Sequence, residues 1–113
     1  ARLCLPKARR MEKVVIDGIR GVSEVELFRR EFGNSFKLIA VWARQGTRFR
    51  RVCGRGREDD ARDWERFLQK DMRELGWGLG GAMLAADFLI VNEGSLEELK
   101  RNAESILRTA WRF

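Results

Sequence analysis

A chain of 113 residues has room for one domain. It carries a net charge of +6, no histidine and two cysteines, which excludes a histidine-based triad and a conventional zinc centre. No run of eighteen or more apolar residues occurs, so no transmembrane helix is expected.

Ala1 to Lys7 is too short an apolar stretch for a signal peptide, so a cytoplasmic protein is expected, with Cys4 and Cys53 as reduced thiols. Arginine far outnumbers lysine. Guanidinium forks match phosphate oxygens, which suits a polyphosphate or nucleic-acid partner. A surface of ion-pair networks is the alternative source of such charge.

Residues 1–12 place Leu3, Leu5, Ala8 and Met11 among basic residues and read as the tail of a helix, with Pro6 at a kink or first turn. Lys13 to Gly18 is a β-branched run closed by a turn signal, the pattern of a parallel strand buried on both faces. Ser23, with Glu26 three residues on, predicts a capped helix that ends at Gly33-Asn34. Phe36 to Ala43 predicts a second buried strand, followed by a basic helix over about 45–52 that breaks at Cys53-Gly54. Residues 58–75 predict another helix, striped by Trp64, Phe67, Leu68, Met72 and Leu75.

Gly76 to Gly81 lacks the spacing of a phosphate loop and reads as a tight helix junction. A short helical segment follows over 82–86, and Phe88 to Asn92 is the third predicted strand. Ser95, with Glu98 three residues on, caps a final helix striped by Leu96, Leu99, Ala103, Ile106, Leu107 and Trp111. The order β-α-β-α-α-β-α predicts an α/β fold with a three-strand, mainly parallel sheet. Ligands of such sheets sit beyond the carboxyl ends of the strands, here Asp17-Gly18, Ala43-Arg44 and Asn92-Glu93-Gly94.

Two groups of residues at those ends have the chemistry for phosphate. Asp17, at the end of a strand, can hold Mg²⁺ through water, with Arg20 clamping a phosphate; it can equally be a turn residue. Arg44, Arg48, Arg51 and Arg55 recur at helical spacing, and Arg57 follows between charged neighbours. They suit a developing phosphoryl charge, or else form a solvated face paired with Glu58, Asp59, Asp60 and Asp63.

Taken together these residues resemble a family. Val14-Val15-Ile16-Asp17-Gly18-Ile19-Arg20 resembles the third-strand motif of nucleoside monophosphate kinases. Thr47 to Arg51, with Arg55-Gly56-Arg57-Glu58-Asp59-Asp60, resembles their arginine-bearing lid, and Ala86 to Leu99 is similar to the last strand and helix of dephospho-CoA kinases. The chain is similar to an archaeal group of P-loop ATPases related to those enzymes.

The resemblance implies a single domain over 1–113 that is the C-terminal portion of a three-layer P-loop NTPase fold, with a lid over about 44–63. It implies ATP and Mg²⁺ as cofactors and an ATP-binding phosphotransferase acting on a nucleoside monophosphate or dephospho-CoA. Asp17 is then the carboxylate near Mg²⁺, Arg20 the acceptor-phosphate ligand, Arg51, Arg55 and Arg57 the lid arginines, and Asn92 and Gly94 the loop beside adenine. Asp71 is a residue that orients lid arginines.

No G-x-x-x-x-G-K-[ST] occurs in these 113 residues, so the chain by itself is expected to be inactive. The resemblance places that loop within roughly 70–80 residues upstream. Without its strand the sheet keeps open edges, so a second copy or a separate N-terminal segment is the expected partner, or else the sheet closes in a new order. A non-catalytic basic remnant that binds a partner protein or nucleic acid is the alternative function.

Overall fold

The computed structural model describes residues 4–10, 12–55 and 63–111. Its elements are α1 (Leu5–Arg9), α2 (Val22–Phe32), β1 (Ile39–Trp42), α3 (Gln45–Arg55), α4 (Trp64–Glu74), α5 (Gly80–Leu84), β2 (Phe88–Val91) and α6 (Leu96–Ala110). β1 and β2 pair in parallel, with Ile39 opposite Phe88 and Trp42 opposite Val91. The fold is α/β and mainly helical.

The expected third strand is a correction. Residues 14–20 are irregular, and among the described residues the sheet has two strands, not three. The β-branched run Val14-Val15-Ile16 has strand propensity, but a strand exists only through a hydrogen-bonded neighbour, and none lies beside it among the described residues. Val15 is accordingly 72% exposed.

Several helix limits also move. α2 starts after Gly21 without a side-chain cap from Ser23; instead Glu24 accepts a hydrogen bond from the Arg20 N–H at 3.0 Å. α3 runs on through Gly54 to Arg55. α4 starts at Trp64, capped by Asp63, whose carboxylate accepts from the Glu65 N–H at 3.0 Å. The expected Ser95 cap is present, its hydroxyl accepting from the Glu98 N–H at 3.2 Å.

The core forms where α2 and α5 meet the entry to β1. Val25, Leu38 and Ala82 are buried together, with Ile19, Phe36, Ala85 and Ala86 packed around them. Phe28 is fully buried and stacks on Phe32 and Phe36 at centroid distances of 6.3 and 5.6 Å. The glycine-rich segment is helical rather than open. A wide π-type turn over Leu75–Leu79 kinks at Gly78, whose φ of 103° only glycine adopts readily, and leads into α5. A Cβ on Gly81 would stand 2.7 Å from Val22 Cγ2, so the missing side chain lets α5 lie against the start of α2.

The sheet is only partly covered. Ala40 pairs with Leu89 and Trp42 with Val91, so these four share one face. Leu89 is 58% and Val91 52% exposed, and Trp42 is exposed beside them. Parallel sheets ordinarily have both faces covered. The radius of gyration, 15.9 Å, exceeds the roughly 13 Å of a compact chain of about this length.

A carboxylate locks the entry to the ladder. Asp87 Oδ2 accepts from the Leu38 N–H at 2.8 Å, while the Asp87 and Phe88 N–H groups donate to the Leu38 carbonyl at 2.8 and 3.1 Å. Arg29 Nη2 donates to the Ala85 carbonyl at 2.8 Å and to Asp87 Oδ2 at 3.3 Å. Asp87→Ala should destabilise the chain by about 1–2 kcal/mol in urea denaturation, mostly through the stranded Leu38 N–H. The Arg29 pair should contribute little, because its partners are 37% and 30% exposed.

Candidate functional site at the carboxyl ends of the strands

Both strands end on the same side of the molecule because they are parallel. The Asn92 N–H donates to the Trp42 carbonyl at 2.7 Å, which extends the ladder past β2 and sets Glu93 beside the start of α3. There Glu93 Oε1 accepts from the Arg44 N–H at 2.9 Å, with Arg44 Nε 3.7 Å away. The Thr47 side chain lies beside the Glu93 carboxylate. The polar Thr47 side chain, the Arg44 N–H and the charges of Arg44 and Arg51 hold the Glu93 carboxyl below the usual glutamate range.

A second carboxylate holds α3 from the other side. Asp71 of α4 is 8% exposed, the one buried charged side chain among the described residues. Both its oxygens accept from the Arg48 guanidinium, the Nη2–Oδ2 bond measuring 3.0 Å, and Gln45 Nε2 adds a donor at 2.8 Å. Arg48 Nε donates to the Ala43 carbonyl at 3.0 Å, and its guanidinium stands 5.7 Å from the Phe67 ring centroid. The hydrogen bonds from Arg48 outweigh burial and hold Asp71 below the usual aspartate range, and the same bond raises the Arg48 pKa. Phe49 packs edge-on to Trp64 at 5.2 Å and tilted to Phe67 at 5.3 Å, which closes α3 onto α4 with apolar surface.

The arginines of α3 thus divide by task. Arg48 is consumed by Asp71, and its side chain ties α3 to α4. Arg44 lies against Glu93 with its guanidinium largely in solvent. Arg51 is exposed and near enough to Glu93 to feel its charge. Arg55 ends α3, and its side chain, like Arg57, lies outside the described residues.

The other expected site residues are spread more widely. Asn92 is half-buried at the strand ends. Gly94 follows in the exposed turn, where a Cβ would run into the Glu98 carboxylate. Asp17 and Arg20 are exposed on the irregular segment before α2. Among the described residues, no three acidic or cysteine side chains gather as a metal cage. No described helix is long and apolar enough to cross a membrane.

Sequence reasoning singled out Asp71, and the structure gives it Arg48. It missed Glu93 and Gln45. The signal for Glu93 was its place at a strand's carboxyl end opposite a run of arginines.

No family model matches the chain. It is similar to archaeal UPF0200 proteins. One from Methanosarcina acetivorans is 43% identical over 95% of this chain and 58% of the relative. Another from Methanothermobacter thermautotrophicus is 44% identical over 86% of this chain and 50% of the relative. A third, from Pyrococcus abyssi, is 41% identical over 96% and 60% respectively. The chain therefore spans roughly half to three-fifths of the length of these curated relatives.

Asp71→Asn should lower stability by about 1–3 kcal/mol at neutral pH, since an amide cannot accept on both sides from three donors. The folded Asp71 pKa lies below its unfolded value of about 3.9, so its contribution is complete above that pH. The contribution is lost as pH falls through the depressed folded value. Urea midpoints measured at pH 7 and pH 3 should therefore fall further for the wild type than for Asp71→Asn.

Proposed function

We propose that this chain is the lid-bearing part of an ATP-binding, nucleotide-kinase-like phosphotransferase acting on a nucleoside monophosphate or dephospho-CoA. The observation that carries the reading is the junction of the strand ends with α3. A cationic helix starts at the carboxyl end of one parallel strand and is tied to the loop leaving the other. Arg48 is fully engaged, whereas Arg51 is exposed beside the same rim.

In this reading Arg51, Arg55 and Arg57 neutralise charge on the phosphoryl group passing from ATP to the acceptor oxygen. Transfer of this kind is catalysed mainly by positioning and electrostatics, which guanidinium groups on a rigid helix supply. Asn92 and Gly94 line the base, and Arg20 holds the acceptor phosphate. Mg²⁺ keeps several waters and takes one or two carboxylates beside the phosphates. Asp17, single and exposed, fits a contact through water; the ion would supply charge neutralisation at the phosphates.

The phosphate loop belongs, in this reading, to the part of the longer relatives that the chain does not span. The same part, or else a second copy, covers Trp42, Leu89 and Val91. Isolated, the chain is inactive.

The test is reconstitution. This chain is mixed with the part of the Methanosarcina acetivorans relative that it does not span, and ATP turnover is assayed with nucleoside monophosphates and dephospho-CoA. The chain alone should give none and should self-associate by light scattering, and the mixture should form a one-to-one complex that transfers phosphate. Arg51→Ala should lower kcat by about 10²-fold or more, the scale of losing one charge-stabilising donor. An inactive mixture beside an inactive intact relative would overturn the reading. So would salt-dependent binding of DNA or RNA without ATP affinity.

A further inference from the structure

The bond between Glu93 and the Arg44 N–H differs in kind from a surface ion pair. A backbone N–H has no side-chain rotamers, so a carboxylate that holds it holds the helix start itself. An anion at that end is also favoured by the dipole of the helix. The Arg44 carbonyl accepts from the Arg48 N–H at 3.0 Å as the first bond of α3, so the residue held by Glu93 is the one that opens the helix. The Thr47 side chain, on the first turn, lies beside the same carboxylate. Glu93 in turn follows Asn92, whose N–H is fixed to Trp42.

We propose that Glu93 is a positioning residue that straps the Asn92–Gly94 loop to the first turn of α3, so that movement of the loop is passed to Arg51. Its use in catalysis rests on the nucleotide reading above; its geometry does not. The strap is rigid toward the helix, because it ends on backbone, and adjustable toward the loop, because the glutamate side chain has rotatable bonds. Gly94, directly after it, leaves that side of the loop without a Cβ. The charged and polar groups facing Glu93 are Arg44, Thr47 and Arg51 of α3, and Glu98 of α6 folds over Gly94 next to it.

NMR on the 113-residue chain tests the strap directly. The Arg44 amide shift should follow a carboxylate that titrates below the usual glutamate range of about 4.3, and should stop doing so in Glu93→Gln but not in Glu98→Gln. Because the folded pKa is depressed, the strap is complete above that range and released as pH falls through it. Glu93→Ala should speed amide exchange at Arg48 to Arg51 by about 10-fold while mid-α6 amides stay within about twofold. Glu93→Gln, which keeps an acceptor, should restore part of the protection.

In the reconstituted pair Glu93→Gln should lower kcat with KM for ATP within about threefold. An Arg44 amide blind to Glu93, equal loosening of α3 and α6, or a pure KM effect would each overturn the proposal. If the wild-type pair and the intact relative both show no turnover, the nucleotide reading fails, and the NMR results still decide whether the strap exists.

Discussion

The two-stranded parallel ladder is short, four residues on each strand, and carboxylates close it at both ends. At the entry Asp87 takes the Leu38 N–H, and at the exit Glu93 takes the Arg44 N–H. Parallel pairing is slightly weaker per residue than antiparallel pairing, and among the described residues no flanking strand supports this pair on either edge. A one-residue slip would turn Ile90 out and Leu89 in. The two acids oppose such a slip, because each accepts from one particular backbone donor. The placement of α3, and hence of every arginine in the candidate site, follows from that register.

Charge is then distributed unevenly along α3. Asp71 is nearly buried and is satisfied by two arginine nitrogens and an amide, so Arg48 acts as structure. Asp71 thereby separates a cation that packs, Arg48, from one that remains exposed, Arg51. Helical spacing alone puts Arg44, Arg48, Arg51 and Arg55 on related turns, but it cannot tell which of them meets an acid from another element. The Phe49, Trp64 and Phe67 cluster decides that by closing α4 onto α3 and carrying Asp71 with it.

The partly covered sheet face and the irregular 14–20 segment share one feature. Trp42, Leu89, Val91 and Val15 are apolar residues of the kind that buried parallel strands carry, and among the described residues they lack a covering layer or a neighbouring strand. The relatives are longer than this chain by a margin that can hold further strands and helices. The glycine-rich segment shows the opposite situation. Gly78 and Gly81 permit the close approach of α5 to the start of α2, and the core there is well formed.

The sequence by itself determined the elements whose stability is local or whose pattern is strong: the striped helices α4 and α6, the Ser95 cap, the runs that became β1 and β2, and the junction at 76–81. Periodicity and caps act over a few residues, so they are legible before folding. The tertiary structure alone decided that Lys13 to Gly18 is not a strand, because pairing needs a partner from elsewhere in space. It also decided that Glu24 and not Ser23 serves the start of α2, and that Arg48 belongs to Asp71. Glu93 met the Arg44 N–H only when β1 and β2 came into parallel register, since that donor lies 49 residues away along the chain.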